Sequence, residues 1–184
     1  GDLPSFFGNT IDELKSFNYV SFAQNNITTA LKTDGISIVL MLIYMFIQLQ
    51  LGDSLLNELV EDTSMKLSSF KQVVFGIASM NAPKIVINAL FNTVNVSIAA
   101  RIIITPIITG FIIYLVTRFI YSKTEVKSLP TAVLCALVYA AIITVISLFA
   151  RVNVSEDLYT NIKIYISVFS VFINSFIISF IANI

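Results

Sequence analysis

Lys84 is the one charged residue between Val73 and Ala100, a segment otherwise built from apolar, amide and hydroxyl side chains. An ionisable group in such a segment points either to an ion or solute path or to a lysine that snorkels to an interface beside Pro83. Downstream, Thr105, Pro106, Thr109 and Gly110 make a polar, flexible notch in an uncharged run. Threonine hydroxyls can cover a carbonyl that proline leaves without its N–H, so the notch reads as a structural kink or as the lining of a path. Ala132, Ala136 and Ala140 recur at four-residue spacing on one helical face, which lets a second helix come close. Ser167, Asn174, Ser175 and Ser179 give the last apolar run a polar stripe suited to interhelical hydrogen bonds, each worth about 1 kcal/mol.

What is missing narrows the chemistry further. The chain has no histidine, which excludes His-bearing zinc sites, Ser-His triads and histidine proton relays. No Asp or Glu stands inside an apolar run as these are drawn below, so an intramembrane aspartyl pair or a carboxylate-coupled ion pump is not expected. The six glycines are scattered singly, without a phosphate-binding loop. Cys135 is the only cysteine and lies in an apolar run, where it reads as a small packing residue. No catalytic constellation, cofactor site or metal site is expected. Three Asn-x-Ser/Thr triplets begin at Asn26, Asn95 and Asn153, and triplets of this kind are common by chance.

The elements that must position these residues are apolar runs. Ile36 to Leu51, Ile102 to Thr117, Leu129 to Ala150 and Ile164 to Ile184 are uncharged, and about 17 to 25 such residues match a bilayer's hydrocarbon core. Over 184 residues the mean hydropathy is +0.88 and only 12% of residues are charged, against about a quarter in soluble domains. Apolar runs separated by short polar loops, without the alternation of barrel strands, imply an all-α integral membrane helical bundle of about four to five transmembrane helices. Tyr114, Tyr121, Tyr159 and Tyr165 stand near run ends, as interfacial aromatics do.

Residues 1–35 are polar and mixed. Thr10 with Glu13 is a capping-box pattern, and Ile11, Leu14, Phe17, Val20, Ile27 and Leu31 recur at roughly helical spacing. This segment reads as an N-terminal amphipathic helix, either on the membrane surface or packed on the bundle, ended by Asp34-Gly35. Two parts follow: 1–35 as a polar N-terminal segment and 36–184 as the bundle. The opening GDLPSFFGNT lacks the regions of a signal peptide, and its start at Gly rather than Met leaves room for an upstream segment. The stretch from Asp53 to Lys71 is polar enough to be a second surface helix.

Val73 to Ala100 is the ambiguous segment. Pro83 disfavours a helical residue before it, so two pieces should meet near Ala82. The segment is a broken span, a re-entrant pair or an interfacial helix, and irregular backbone at membrane depth belongs where it lines a pathway. With one crossing there, the loop bases divide evenly and orientation is undecided. The basic loop from Arg118 to Lys127 favours the cytoplasmic side weakly. Net charge is zero, with no dense basic block of the kind nucleic acid selects.

Compactly spaced runs from Ile36 to Ile184, a polar leader, and the stretch YSKTEVKSLPTAVLCALVYAAI resemble the YIP-type (Ypt/Rab-interacting) membrane proteins, bacterial branch. The resemblance implies a polar N-terminal region before a bundle of about five short spans. The Asp-Leu-Tyr-Gly and Gly-Tyr signatures of the eukaryotic members are absent, so no Rab-related role is implied. Heavy use of Ile, Asn, Phe and Lys fits an AT-rich bacterial genome and a bacterial cytoplasmic membrane. The expected function is a non-enzymatic scaffold or accessory subunit, partnered by the lipid bilayer and by other membrane proteins through the alanine stripe or the acidic surface segments. The alternative is a small transporter or channel whose path uses the broken segment 73–100 with Lys84, Thr105 and Thr109.

Overall fold

The computed structural model describes residues 18–52, 54–60, 67–89, 92–97, 99–121, 129–155 and 161–184. The fold is mostly helical: α1 (Tyr19–Gln50), α2 (Leu55–Val60), α3 (Ser69–Asn81), α4 (Ala99–Tyr121), α5 (Leu129–Leu148) and α6 (Val168–Asn183). Four strands join them, β1 (Lys84–Ala89), β2 (Asn92–Ser97), β3 (Val152–Ser155) and β4 (Asn161–Ile166). They form one antiparallel sheet in the order β2-β1-β4-β3.

The sheet corrects the all-α expectation. In β4, Ile162, Ile164 and Ile166 alternate with Lys163 and Tyr165, and β-branched residues on a two-residue period suit a half-buried strand. Ile164 to Ile166 therefore belong to the sheet, not to a last span, and Ser167 caps α6 by accepting from the Ser170 N–H. In β1, Ile85 pairs with Ile166 and is fully buried, while Lys84 at the strand's start is exposed.

α1 also differs from expectation. It runs unbroken through Asp34-Gly35, so the boundary drawn after residue 35 falls inside a helix. Its N-cap is Asn18, whose side chain accepts from the Ser21 N–H at 3.0 Å. A mid-helix glycine costs about 1 kcal/mol relative to alanine. Burial of one face, Ala30, Thr33, Asp34, Ser37, Ile38 and Met41, outweighs that cost. The helix stops at Gly52, whose φ of 80° is a left-handed conformation that glycine adopts without steric cost. The expected start at Thr10 and Glu13 lies outside the described residues.

Contacts at several levels fix the helix directions. Tyr139 Oη lies 3.5 Å from Met41 Sδ. Thr117 donates to Asn183 Oδ1 at 2.9 Å, and a Cβ placed on Gly110 would lie 3.8 Å from Ile178. Lys71 Nζ donates to the carbonyls of Phe149 and Arg151 at 2.7 and 2.8 Å. Thus α1 and α5 run one way, α4 and α6 the other, and α3 starts at the bundle end where β2 enters α4, β3 leaves α5 and β4 enters α6.

The surface differs from that of a soluble helical protein. Ile43, Phe46 and Ile47 on α1, Ile107, Phe111 and Phe119 on α4, Leu137 and Val145 on α5, and Ile173, Ile177 and Ile181 on α6 are exposed. The core is apolar, around Phe75, Ile77, Ile113 and Ile143, and buries hydroxyl, amide and carboxyl groups among these side chains. By length and composition, α1 and α5 can cross a membrane; Ile104–Ile120 and α6 are shorter apolar helices.

Candidate functional site

The site forms where α3 ends. α3 is capped by Ser68, whose hydroxyl accepts from the Lys71 N–H, and packs with Gly76 against Met45 of α1. A Cβ at Gly76 would collide with Met45 Sδ, so glycine permits this close approach. Thirteen residues, about 20 Å at 1.5 Å per residue, carry α3 only partway along the bundle. Its last turn meets Thr109 near the middle of α4 and Tyr139 near the middle of α5. Ala82 is extended, as a residue before proline prefers, and the chain returns through Pro83 to β1 at the sheet end. Val73 to Ala100 therefore enters and leaves by one end of the bundle.

A helix that stops in an interior must satisfy its last carbonyls there. Thr109 Oγ1 donates to the Met80 carbonyl at 3.0 Å, and Asn81 Nδ2 donates to the Ile77 carbonyl at 2.9 Å. The Tyr139 hydroxyl donates to Asn81 Oδ1. Tyr139 and Asn81 are both fully buried. Thr109 thus spends its hydroxyl on α3, across the helix interface, rather than on a carbonyl freed by Pro106 in its own helix.

Asp34 lies deeper along the same interior. It is fully buried, and among the described residues neither carboxyl oxygen has a hydrogen-bond partner. Asp34 and Met41 lie seven residues apart, two turns along one face of α1. Around it, Ser37 donates to the Thr33 carbonyl at 3.0 Å and Thr33 donates to the Thr29 carbonyl at 2.8 Å. Each hydroxyl has given its proton to backbone and presents only lone pairs. On α6, Ser175 Oγ is also buried without a partner.

On the sheet side of Met80 a cavity of about 180 Å³ opens between α1, α2, α3 and α4. Gln48, Gln72, Ser54 and Thr105 supply its polar lining, and Met45 and Met80 form part of its wall.

The sequence-derived candidates divide accordingly. Thr105 is buried and lines the cavity, and Thr109 is buried and anchors α3. Lys84 is exposed at the start of β1, a central strand, and is not among the residues that line the cavity. Ala132, Ala136 and Ala140 are buried on α5, whose most extensive packing is against α6. That stripe is occupied within the chain and is not open to a second protein. Asp34, Asn81 and Tyr139 did not emerge from the sequence reading, and Asp34 corrects the expectation that no carboxylate enters the bundle. Its signal was the helical spacing of Ala30, Asp34, Ser37 and Met41, hidden by the Asp-Gly pair that ordinarily marks a helix end. Comparison with known proteins returns no matching family model, no matching curated protein and no matching solved structure.

Proposed function

We propose that this chain is a multi-pass integral membrane protein, non-enzymatic, that passes a small ion or solute through its interior by way of a re-entrant half-helix. α1, α4, α5 and α6 are the four spans, and α3 dips in from the side that carries the sheet. The observation that carries this reading is the end of α3 in mid-bundle, between Thr109 and Tyr139. Broken helices whose ends point at a buried polar site are how membrane transporters expose backbone dipoles to a substrate. The exposed apolar belt supports a lipid environment, since soluble monomers rarely show contiguous apolar surface on this scale.

Two cation–π pairs fit interfacial anchors at opposite ends of the bundle. Arg118 lies 4.9 Å from the Tyr114 ring centroid, and Arg151 lies 5.4 Å from that of Tyr165. α6, about 24 Å long at 1.5 Å per residue, is the shortest span and calls for local thinning of the bilayer. The YIP-type pattern has about five spans; the present reading has four, because α3 does not cross. The cavity is the mouth of the path, and Met80 and Met45 separate it from Asn81, Tyr139 and Asp34.

The scaffold reading loses one of its two docking surfaces, because the alanine stripe is buried against the chain's own helices. Flux into proteoliposomes holding the full chain tests the proposal. Uptake or conductance of small cations above that of empty liposomes is expected. Impermeability to ions and small neutral solutes alike refutes a pathway and returns the scaffold reading to first place.

A further inference from the structure

We propose that Asp34 is the binding carboxylate of a monovalent-cation site in the bundle interior, occupied by sodium or by a proton. The proposal deepens the pathway reading and rests on it for its place in a transport cycle. Three observations carry it. Asp34 is completely buried with both oxygens unpartnered, and an unpaired buried carboxylate is too costly to persist without a counter-charge. Its neighbours on the helix are acceptors: Thr33 and Ser37 have donated to backbone carbonyls. Among the described residues, no basic side chain neutralises it: the buried polar side chains of α3, α4, α5 and α6 are hydroxyls and amides, Asn81, Thr109, Tyr139 and Ser175 among them, and none is cationic.

A buried acidic oxygen whose helix neighbours Thr33 and Ser37 offer only lone pairs is a surrounding that selects a hard cation. Charge sets the valence. Among the described residues no group of three or more acids, cysteines or histidines gathers to hold a metal ion. One carboxylate balances one monovalent charge; a divalent ion would leave an uncompensated positive charge in the same dry interior.

The test is thermal unfolding of the purified full chain in detergent, in sodium, potassium and choline chlorides at equal ionic strength. Wild type should unfold roughly 5–10 °C higher in sodium than in choline when sodium is about a hundredfold above its dissociation constant. Asp34→Asn should lose that difference, and Ser37→Ala should move the sodium dependence to higher concentration. If sodium has no effect, potential-driven acidification of proteoliposomes decides for the proton: uptake by wild type and its loss in Asp34→Asn support the site. The absence of both a sodium-specific shift and Asp34-dependent proton uptake overturns the proposal. Cation flux that Asp34→Asn leaves unchanged removes the site and leaves the pathway. An Asp34-dependent sodium shift without any flux keeps the site and removes the pathway.

Discussion

Replacing Tyr139 by Phe deletes one hydroxyl from the centre of the bundle and changes little else in shape. The hydroxyl donates to Asn81 Oδ1, and both residues are fully buried. An acceptor stranded in a soluble core costs about 1–3 kcal/mol. Hydrogen bonds between membrane helices average near 0.6 and reach about 1.7 kcal/mol. Asn81 sits at the last turn of α3, and its amide is committed to the Ile77 carbonyl at 2.9 Å. Its Oδ1 therefore has no ready substitute donor within its own helix, which puts Tyr139→Phe at the upper part of the membrane range, about 1–2 kcal/mol. Asn81→Ala takes from the Tyr139 hydroxyl its amide acceptor and from the Ile77 carbonyl its side-chain donor, and should cost about as much again. Because the two substitutions delete the same bond, their effects should overlap by roughly 1 kcal/mol in a double-mutant cycle. Unfolding of the purified protein in mixed micelles, titrated with a denaturing detergent and followed by circular dichroism, measures all four corners. Costs that add to within about 0.3–0.5 kcal/mol would refute the idea that this bond pins α3 in mid-bundle.

The other predictions concern packing and the reach of the path. Ala136 is fully buried on α5, so Ala136→Leu should overpack the bundle interior at about 1–3 kcal/mol and broaden the elution profile on gel filtration. A monodisperse, unshifted profile would count against that. Lys84→Met should leave both expression and proteoliposome flux at wild-type levels, because Lys84 is exposed at the start of β1; a drop in flux would put Lys84 back on the path. Gly76→Leu drives a side chain into Met45 and the cavity, and should cut flux several-fold while the circular dichroism spectrum is retained. Gly52→Ala forces alanine to a φ of 80° and should lower stability by about 1 kcal/mol, read by the same micelle titration.

Much of the helical fold was legible, for a plain reason. Long uncharged runs such as Leu129 to Ala150 have one economical structure, and α5 occupies Leu129–Leu148. The sheet was hidden because Ile85-Val86-Ile87 and Ile162 to Ile166 are as apolar as a lipid-facing helix, and periodicity cannot separate a short buried strand from part of a span. Pro83 did mark where α3 turns back, but Lys84 beside it is carried out to the surface rather than inward. Thr105 and Thr109 were found because a proline drew attention to their helix. Tyr139 was passed over because one tyrosine in an apolar helix acquires meaning only when the long-range contact to Asn81 is known.

The central claim is that α3 enters and leaves by one face, and cysteine accessibility in intact cells tests it most directly. With Cys135→Ala as background, single substitutions Asn57→Cys, Lys84→Cys and Arg118→Cys are labelled with a membrane-impermeant reagent. Asn57 and Lys84 flank α3, and all three positions are exposed. A re-entrant α3 predicts that Asn57→Cys and Lys84→Cys label from the same side and Arg118→Cys from the other. Labelling of Asn57→Cys and Lys84→Cys from opposite sides would mean that α3 crosses the membrane, and the account of a half-helix ending on Asn81 and Tyr139 would be wrong.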